Sequence, residues 1–210
     1  MSIQEIGNQI YEKLAVQNKS RDHLIDEMNK VLRITREAIS AIHRGDMSRA
    51  RTSIKNAQSM LQDTQKHQKK LNQLPVLGLV NNAEGELAEA GLFLAFLEKQ
   101  ESPPPQEFGI SDIGYLQGLG DFVGELRRYA LDSLTNDNLD EAKRAFTQME
   151  SIYTVLMTFD FPQGLTPGVR RKTDVARGLV ERTRADLNTA IENRRLLTGI
   201  SSLQKMLGKR

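Results

Sequence analysis

The stretch YLQGLGDFVGELRRYAL, Tyr115–Leu131, reads as one helix that carries three glycines and two acids. At about 100° per residue, Leu116, Leu119, Phe122, Val123, Leu126 and Ala130 fall on a single apolar arc. Gly114, Gly118, Asp121 and Glu125 recur at spacings of four, three and four, which sets them on one narrow stripe beside that arc. Glycine inside a helix costs about 0.5–1 kcal/mol relative to alanine, so something must offset it. A stripe without side chains lets another helix or a ligand come close. The two carboxylates then sit at the margin of a core.

A second helix carries the same oddity. In NNAEGELAEAGLFLAFLEKQ, Asn81–Gln100, Glu86 and Glu89 are three residues apart and share a face that continues into Phe93, Phe96 and Leu97. An exposed polar stripe does not run on into two phenylalanines. Glu84 and Glu98 lie elsewhere on this helix and read as ordinary solvated acids. If the two acidic stripes face each other, four carboxylates converge, and they stay ionised together only with a cation between them. Hard divalent ions with oxygen ligands, Mg²⁺ or Mn²⁺, meet that need. Such an ion with open positions activates water and stabilises charge on a phosphodiester. The plainer reading is that each acid pair is solvated or bridged to Lys or Arg, with Arg128 or another helix as partner to Asp121 and Glu125.

The rest of the chain reads as helix throughout, with no convincing strand. The expected helices are Ile3 to about Arg44, Ser48 to about Leu71, Asn82 to Gln100, Ser111 or Asp112 to about Thr135, Leu139 to about Phe159, and Pro167 to about Arg195. On the first, Leu24, Met28, Val31, Ile34, Ala38 and Ile42 share a face. Breaks are expected at Pro75 and Gly78, at ESPPPQEFG and at FPQGLTPG, with SSLQKMLGKR frayed or a short helix. One internal echo stands out. GDMSRARTSIKNAQSML (Gly45–Leu61) and DNLDEAKRAFTQMESIY (Asp137–Tyr153) each combine a turn, a helix cap and matching alanines. Either a repeat or shared capping chemistry accounts for it.

Composition narrows the function classes. With 210 residues and 39% hydrophobic content, the chain suits one all-helical domain over 1–210. The net charge of +2 is too small for a polycation, so nucleic-acid binding would rest on local clusters. Arg33 and Arg36, Arg127 and Arg128, and the run Arg170, Arg171, Lys172 are such clusters, suited to phosphate. The bland alternative is a solvated face. Aromatic residues are 5% with no Trp, which does not indicate extensive base stacking. The absence of Cys excludes disulfides, thiolate zinc sites and a Cys nucleophile, and three scattered His do not suggest an imidazole site. No apolar run is long enough to span a membrane, and the opening residues do not read as a secretory signal; the cytoplasm is the expected location.

The assembled residues resemble the translin and translin-associated factor X family. IGYLQGLGDFVGELRRYALDSL (Ile113–Leu134) is similar to that family's aspartate-tyrosine-leucine, glycine, aspartate, glycine-glutamate-leucine, arginine pattern. Gly118, Asp121, Gly124, Glu125, Leu126 and Arg128 fit it, while Gly114 stands where an Asp is usual. GELAEAGLFLAFL (Gly85–Leu97) resembles the glutamate, two residues, glutamate-alanine pattern of the factor X branch, and RITREAISAIHRGD (Arg33–Asp46) the end of the family's first helix. The resemblance implies an all-helical bundle of about six to seven helices, assembled into a closed homo-oligomer, an octamer. It implies binding of single-stranded RNA and DNA. It places the chain nearer the catalytic branch, a metal-dependent endoribonuclease on single-stranded RNA. Glu86, Glu89 and Asp121 match the catalytic acids, with Glu125 as a fourth ligand to Mg²⁺ or Mn²⁺. Arg33, Arg36, Arg127 and Arg128 would contact the nucleic acid. The rivals are a non-catalytic single-strand binding protein of the translin type, and a helical adaptor for a protein partner.

Overall fold

The computed structural model describes the backbone of residues 1–68 and 77–207, and the side chains of 1–64 and 78–207. The described residues form seven helices and no strand, so the fold is all-α as expected. The helices are α1 (Ile3–His43), α2 (Met47–Gln68), α3 (Leu77–Leu97), α4 (Pro105–Phe108), α5 (Asp112–Thr135), α6 (Leu139–Met157) and α7 (Val169–Leu207). The chain divides into two compact units, residues 1–119 and 120–210, and the division falls inside α5.

In the first unit α1 packs on α2 and α3. Ser2 starts α1 with a capping box: its hydroxyl accepts the Glu5 N–H at 3.2 Å and Glu5 accepts the Ser2 N–H at 2.7 Å. Its buried face is Leu24, Met28, Val31, Leu32, Thr35, Ala38, Ala41 and Ile42. Ile34 is only half-buried; Leu32 and Thr35 take the inner positions instead. Thr35 is tolerated there because its hydroxyl donates to the Val31 carbonyl at 2.9 Å. Helix α3 is apolar on nearly every side, with Phe93 and Leu92 almost fully enclosed. It starts at Leu77, so Gly78 lies in its first turn and is no break. The expectations for Leu71 and Pro75 lie outside the described residues.

The Pro-rich stretch is more than a break. It folds into the one-turn α4, whose Phe108 is 4% exposed and packs where Gly91 leaves α3 bare. Any Cβ at Gly91 would overlap the Phe108 ring. The Tyr115 hydroxyl closes the loop by donating to the Pro103 carbonyl at 2.9 Å.

In the second unit α6 packs on α7 through Ala142, Ala145, Met149, Ile152 and Leu156 from one side and Ala176, Val180, Thr183 and Leu187 from the other. Helix α7 begins two residues after Pro167 and runs through most of SSLQKMLGKR, which is helical rather than frayed up to Leu207.

The internal echo resolves into shared capping chemistry. After α1, Gly45 (φ 77°) turns left-handed; its N–H donates to Ile42 at 2.9 Å and the Asp46 N–H to Ala41 at 3.0 Å. After α5, Asp137 (φ 56°) does the same: its N–H donates to Leu134 at 3.1 Å and the Asn138 N–H to Ser133 at 2.8 Å. Both are the paired-bond helix ending that a left-handed residue permits. Asp46 and Asn138 then cap the following helices by accepting the N–H of Arg49 at 3.0 Å and of Glu141 at 3.3 Å.

Candidate metal and nucleic-acid site

The glycine stripe of α5 lies against α3. A Cβ on Gly118 would stand 2.5 Å from the Gly85 carbonyl oxygen and from the Ala88 Cβ, and 3.2 Å from the Glu89 nitrogen. Gly85 returns the contact, its own hypothetical Cβ lying 3.5 Å from the Gly118 nitrogen. The two backbones meet because neither carries a side chain there, and this packing offsets the cost of helical glycine. The crossing falls at the turn of α3 that bears Glu86 and Glu89. One turn further along α5 stand Asp121 and then Glu125.

All four acids are half-buried, as their position at the core margin demands. Glu86 is held by a two-point contact from Arg36 of α1, Nε to Oε2 at 3.2 Å and Nη2 to Oε1 at 3.1 Å. Those hydrogen bonds and the carboxylate charge raise the Arg36 pKa above its ordinary value, so the guanidinium keeps its proton. Asp121 is paired with Lys172 of α7. Gly120 makes room for that lysine: a Cβ there would lie 2.6 Å from the Lys172 Cβ. One carboxylate oxygen of Glu125 is shut off from solvent. The partner of Asp121 is thus on another helix, and not Arg128. Among the described residues no group of three or more acids and histidines stands ready to hold a metal ion.

The expected phosphate contacts divide in two. Arg33 and Arg36 line a surface groove of about 510 Å³ along α1 with Asn29, Leu32, Glu37 and Ser40. Arg33 pairs with Glu37 at 2.8 Å, an exposed contact of small worth. Arg128 is exposed. Arg127 points inward: it donates to the Thr183 hydroxyl at 2.8 Å and lies 2.9 Å from Asp186, fastening α5 to α7.

Two acids depart from expectation. Glu98 is paired with Arg51 of α2, its side chain 17% exposed. Glu84 is 3% exposed and caps α5 from α3. Its carboxylate accepts the Ser111 N–H at 3.2 Å and the Ser111 hydroxyl, and Ser111 in turn accepts the Gly114 N–H at 3.0 Å. A Cβ at Gly114 would overlap the Glu84 Cβ and stand 2.5 Å from its Oε2. Gly114 and Glu84 therefore form a unit, which explains why no Asp stands before Tyr115: a second carboxylate would fill the space of the first. Gly114→Asp is expected to destabilise the fold by about 1–3 kcal/mol from crowding alone. Glu84→Ala should cost about 2 kcal/mol through the lost cap and the unsatisfied donors. In the double variant the two costs should fall short of their sum by at least about 0.5 kcal/mol, measured by urea unfolding. Additive costs would show that the two residues do not share this space.

A family model described as the translin family matches residues 19–184. The chain belongs to the translin family. An uncharacterised protein of Methanocaldococcus jannaschii is 32% identical over 191 residues, covering 88% of this chain and 84% of its own. Among solved structures, AfC3PO in complex with duplex RNA superposes with a TM-score of 0.78 at 31% identity, over 89% of this chain and 97% of that one. AfC3PO alone gives 0.75 at 31% identity, over 92% and 99%. Apo-NeC3PO gives 0.75 at 19% identity, over 87% and 96%, which shows the shared fold. No helix among the described residues of this translin-family chain is long and apolar enough to cross a membrane.

Proposed function

We propose that the chain is a metal-dependent endoribonuclease that cleaves single-stranded RNA and stands nearer the catalytic, factor X branch of its family. The observation that carries this is the pair of side-chain cations drawn to half-buried acids: Arg36 on Glu86 and Lys172 on Asp121. Carboxylates at a core margin need positive charge, and here side chains supply it. The Arg36 side chain is 69% exposed, and an ion pair that exposed is worth roughly 0–1 kcal/mol. A divalent ion offers far more charge to the same oxygens. The donor chemistry suits such an ion: carboxylate oxygens are hard ligands, and the chain has no thiolate. Glu86, Glu89, Asp121 and Glu125 would hold Mg²⁺ or Mn²⁺. When bound, the ion supplies an activated water and charge stabilisation at the phosphate.

The chain's own groups do the rest. Whichever of Glu86, Glu89, Asp121 and Glu125 is left uncommitted would act as the base that takes a proton from water. Arg36, released from Glu86, turns to the phosphate together with Arg33 from the α1 groove, and Arg128 adds an exposed charge. Support for RNA as the ligand class comes from AfC3PO, solved with duplex RNA. The strand state is what the assay must separate, and single-stranded DNA is included as a ligand that is bound and not cut.

The same reading includes a cytoplasmic, closed homo-oligomer, an octamer. Two exposed apolar stripes support it: Ile3, Ile6, Ile10 and Leu14 on α1, and Leu196, Ile200, Leu203 and Leu207 on α7. The second follows the four-three-four spacing of a helix-pairing seam. Stripes of this length in water mark association surfaces.

The test is cleavage of a labelled single-stranded RNA by the purified chain with Mg²⁺, with Mn²⁺ and with chelator. A duplex RNA and a DNA strand serve as competitors, and the particle mass is measured by light scattering. The expected result is metal-dependent cutting of the single strand by a particle of about eight subunits. Salt-sensitive RNA binding without cutting in any metal would leave the non-catalytic binding protein instead.

A further inference from the structure

We propose that the pocket at the start of α7 is a nucleotide subsite, holding one nucleotide of the RNA that the chain binds. The inference rests on the RNA-binding reading above and assigns a further contact to it.

The loop between α6 and α7 and the first turn of α7 enclose a half-open cavity of about 550 Å³. That lies in the range of small-ligand sites, about 300–1,000 Å³. Its walls include Asp160, Phe161, Thr166, Arg170, Arg171 and Asp174. Phe161 is 55% exposed, an unusual position for an aromatic ring in a chain with so few. Phe159, half-buried, lies 6.5 Å from it at 54° and backs it up. A base stacked on Phe161 would gain a contact that is tolerant of sequence.

Arg170 and Arg171 are exposed, and neither takes part in an ion pair or hydrogen bond of its side chain among the described residues. Arginines that serve a fold are tied down, as Arg127 and Arg184 are in this unit. Two untied guanidinia at one cavity suit a phosphodiester, which they contact with several donors each. The next residue on α7 is Lys172, which pairs with Asp121 of α5, so the turn that lines the cavity also reaches one of the proposed catalytic acids.

The two carboxylates decide what kind of phosphate fits. Asp160 and Asp174 balance the two arginines, so a bare phosphate meets as much repulsion as attraction. A nucleotide uses both signs: its phosphate takes the guanidinia and the amino groups of its base donate to the carboxylates. Guanine, adenine and cytosine carry an exocyclic amino group, and uracil does not. The pocket should therefore favour the first three.

The experiment compares the wild-type full chain with Arg170→Ala/Arg171→Ala and with Phe161→Ala. It measures affinity for a labelled single-stranded RNA over a salt series, competition by nucleoside monophosphates and by inorganic phosphate, and particle mass. The double variant should bind RNA on the order of tenfold more weakly, with a log–log salt slope flatter by about 1.4, two phosphate contacts on a single strand. Phe161→Ala should weaken binding by a similar factor without changing that slope. Monophosphates of guanosine, adenosine and cytidine should compete better than that of uridine, and inorganic phosphate should not compete. RNA bound equally by wild type and both variants overturns the subsite and leaves the RNA reading standing. RNA bound by none of them overturns both. Competition by inorganic phosphate equal to that of the nucleotides, or a smaller particle in the double variant, also overturns the subsite.

Discussion

Glu89→Gln is expected to abolish metal-dependent RNA cleavage while leaving the helices and RNA binding in place. The substitution is nearly isosteric and removes one negative charge. Glu89 is half-buried at the point where Gly118 of α5 meets α3. Its backbone nitrogen lies in that contact, so the side chain issues from a rigid position. Loss of groups that only support metal ligands costs about 10–100-fold in activity. Loss of a ligand should exceed that, so a fall of at least about 10²-fold is expected in single-turnover cleavage. RNA affinity should hold or rise slightly, because a repelling charge has gone. Cleavage within a few-fold of wild type, in a variant with unchanged circular dichroism and melting, would show that Glu89 only bridges to a cation.

The second large effect is on the fold. Gly118→Ala is expected to destabilise the protein by about 1–3 kcal/mol, although alanine is the better helix former. The added Cβ would stand 2.5 Å from the Gly85 carbonyl and the Ala88 Cβ, closer than atoms can pack. One contact is backbone and cannot swing aside. Gly124 is the control. It lies on the same helix, with nothing within 4 Å of a hypothetical Cβ. Gly124→Ala should stabilise by about 0.4–1 kcal/mol. Chemical denaturation of the two variants should thus move the midpoint in opposite directions. Equal shifts would mean that the α3–α5 contact does not set the glycine pattern.

Periodicity alone made the long helices legible, because each buries a stripe that recurs at helical spacing. The glycine pattern of α5 was legible for the same reason: four, three and four name a face, and that face proved to be a helix contact. What escaped was the local partner of each group. Glu84 reads as solvated because a lone acid on a helix usually is; the clue was Gly114, whose missing side chain leaves room for it. Lys172 sits 51 residues from Asp121, and no spacing rule spans that distance. Gly120, next to the acid, was the sign that something large passes there. Helix α4 was hidden by its prolines, which read as a break yet also suit a helix start. Arg127 and Arg128 look equivalent in sequence, but adjacent residues on a helix point 100° apart, so one ties α5 to α7 and the other faces solvent.

The measurement that bears most directly on the acidic site is Mn²⁺ binding to the full chain, by calorimetry or electron paramagnetic resonance, for wild type beside Asp121→Asn. Saturable, chelator-reversible binding is expected in wild type, with at least a tenfold loss of affinity in the variant. Wild type that binds no Mn²⁺, or a variant that binds it equally well, would rule out the metal site and leave Arg36 and Lys172 as the permanent partners of these acids.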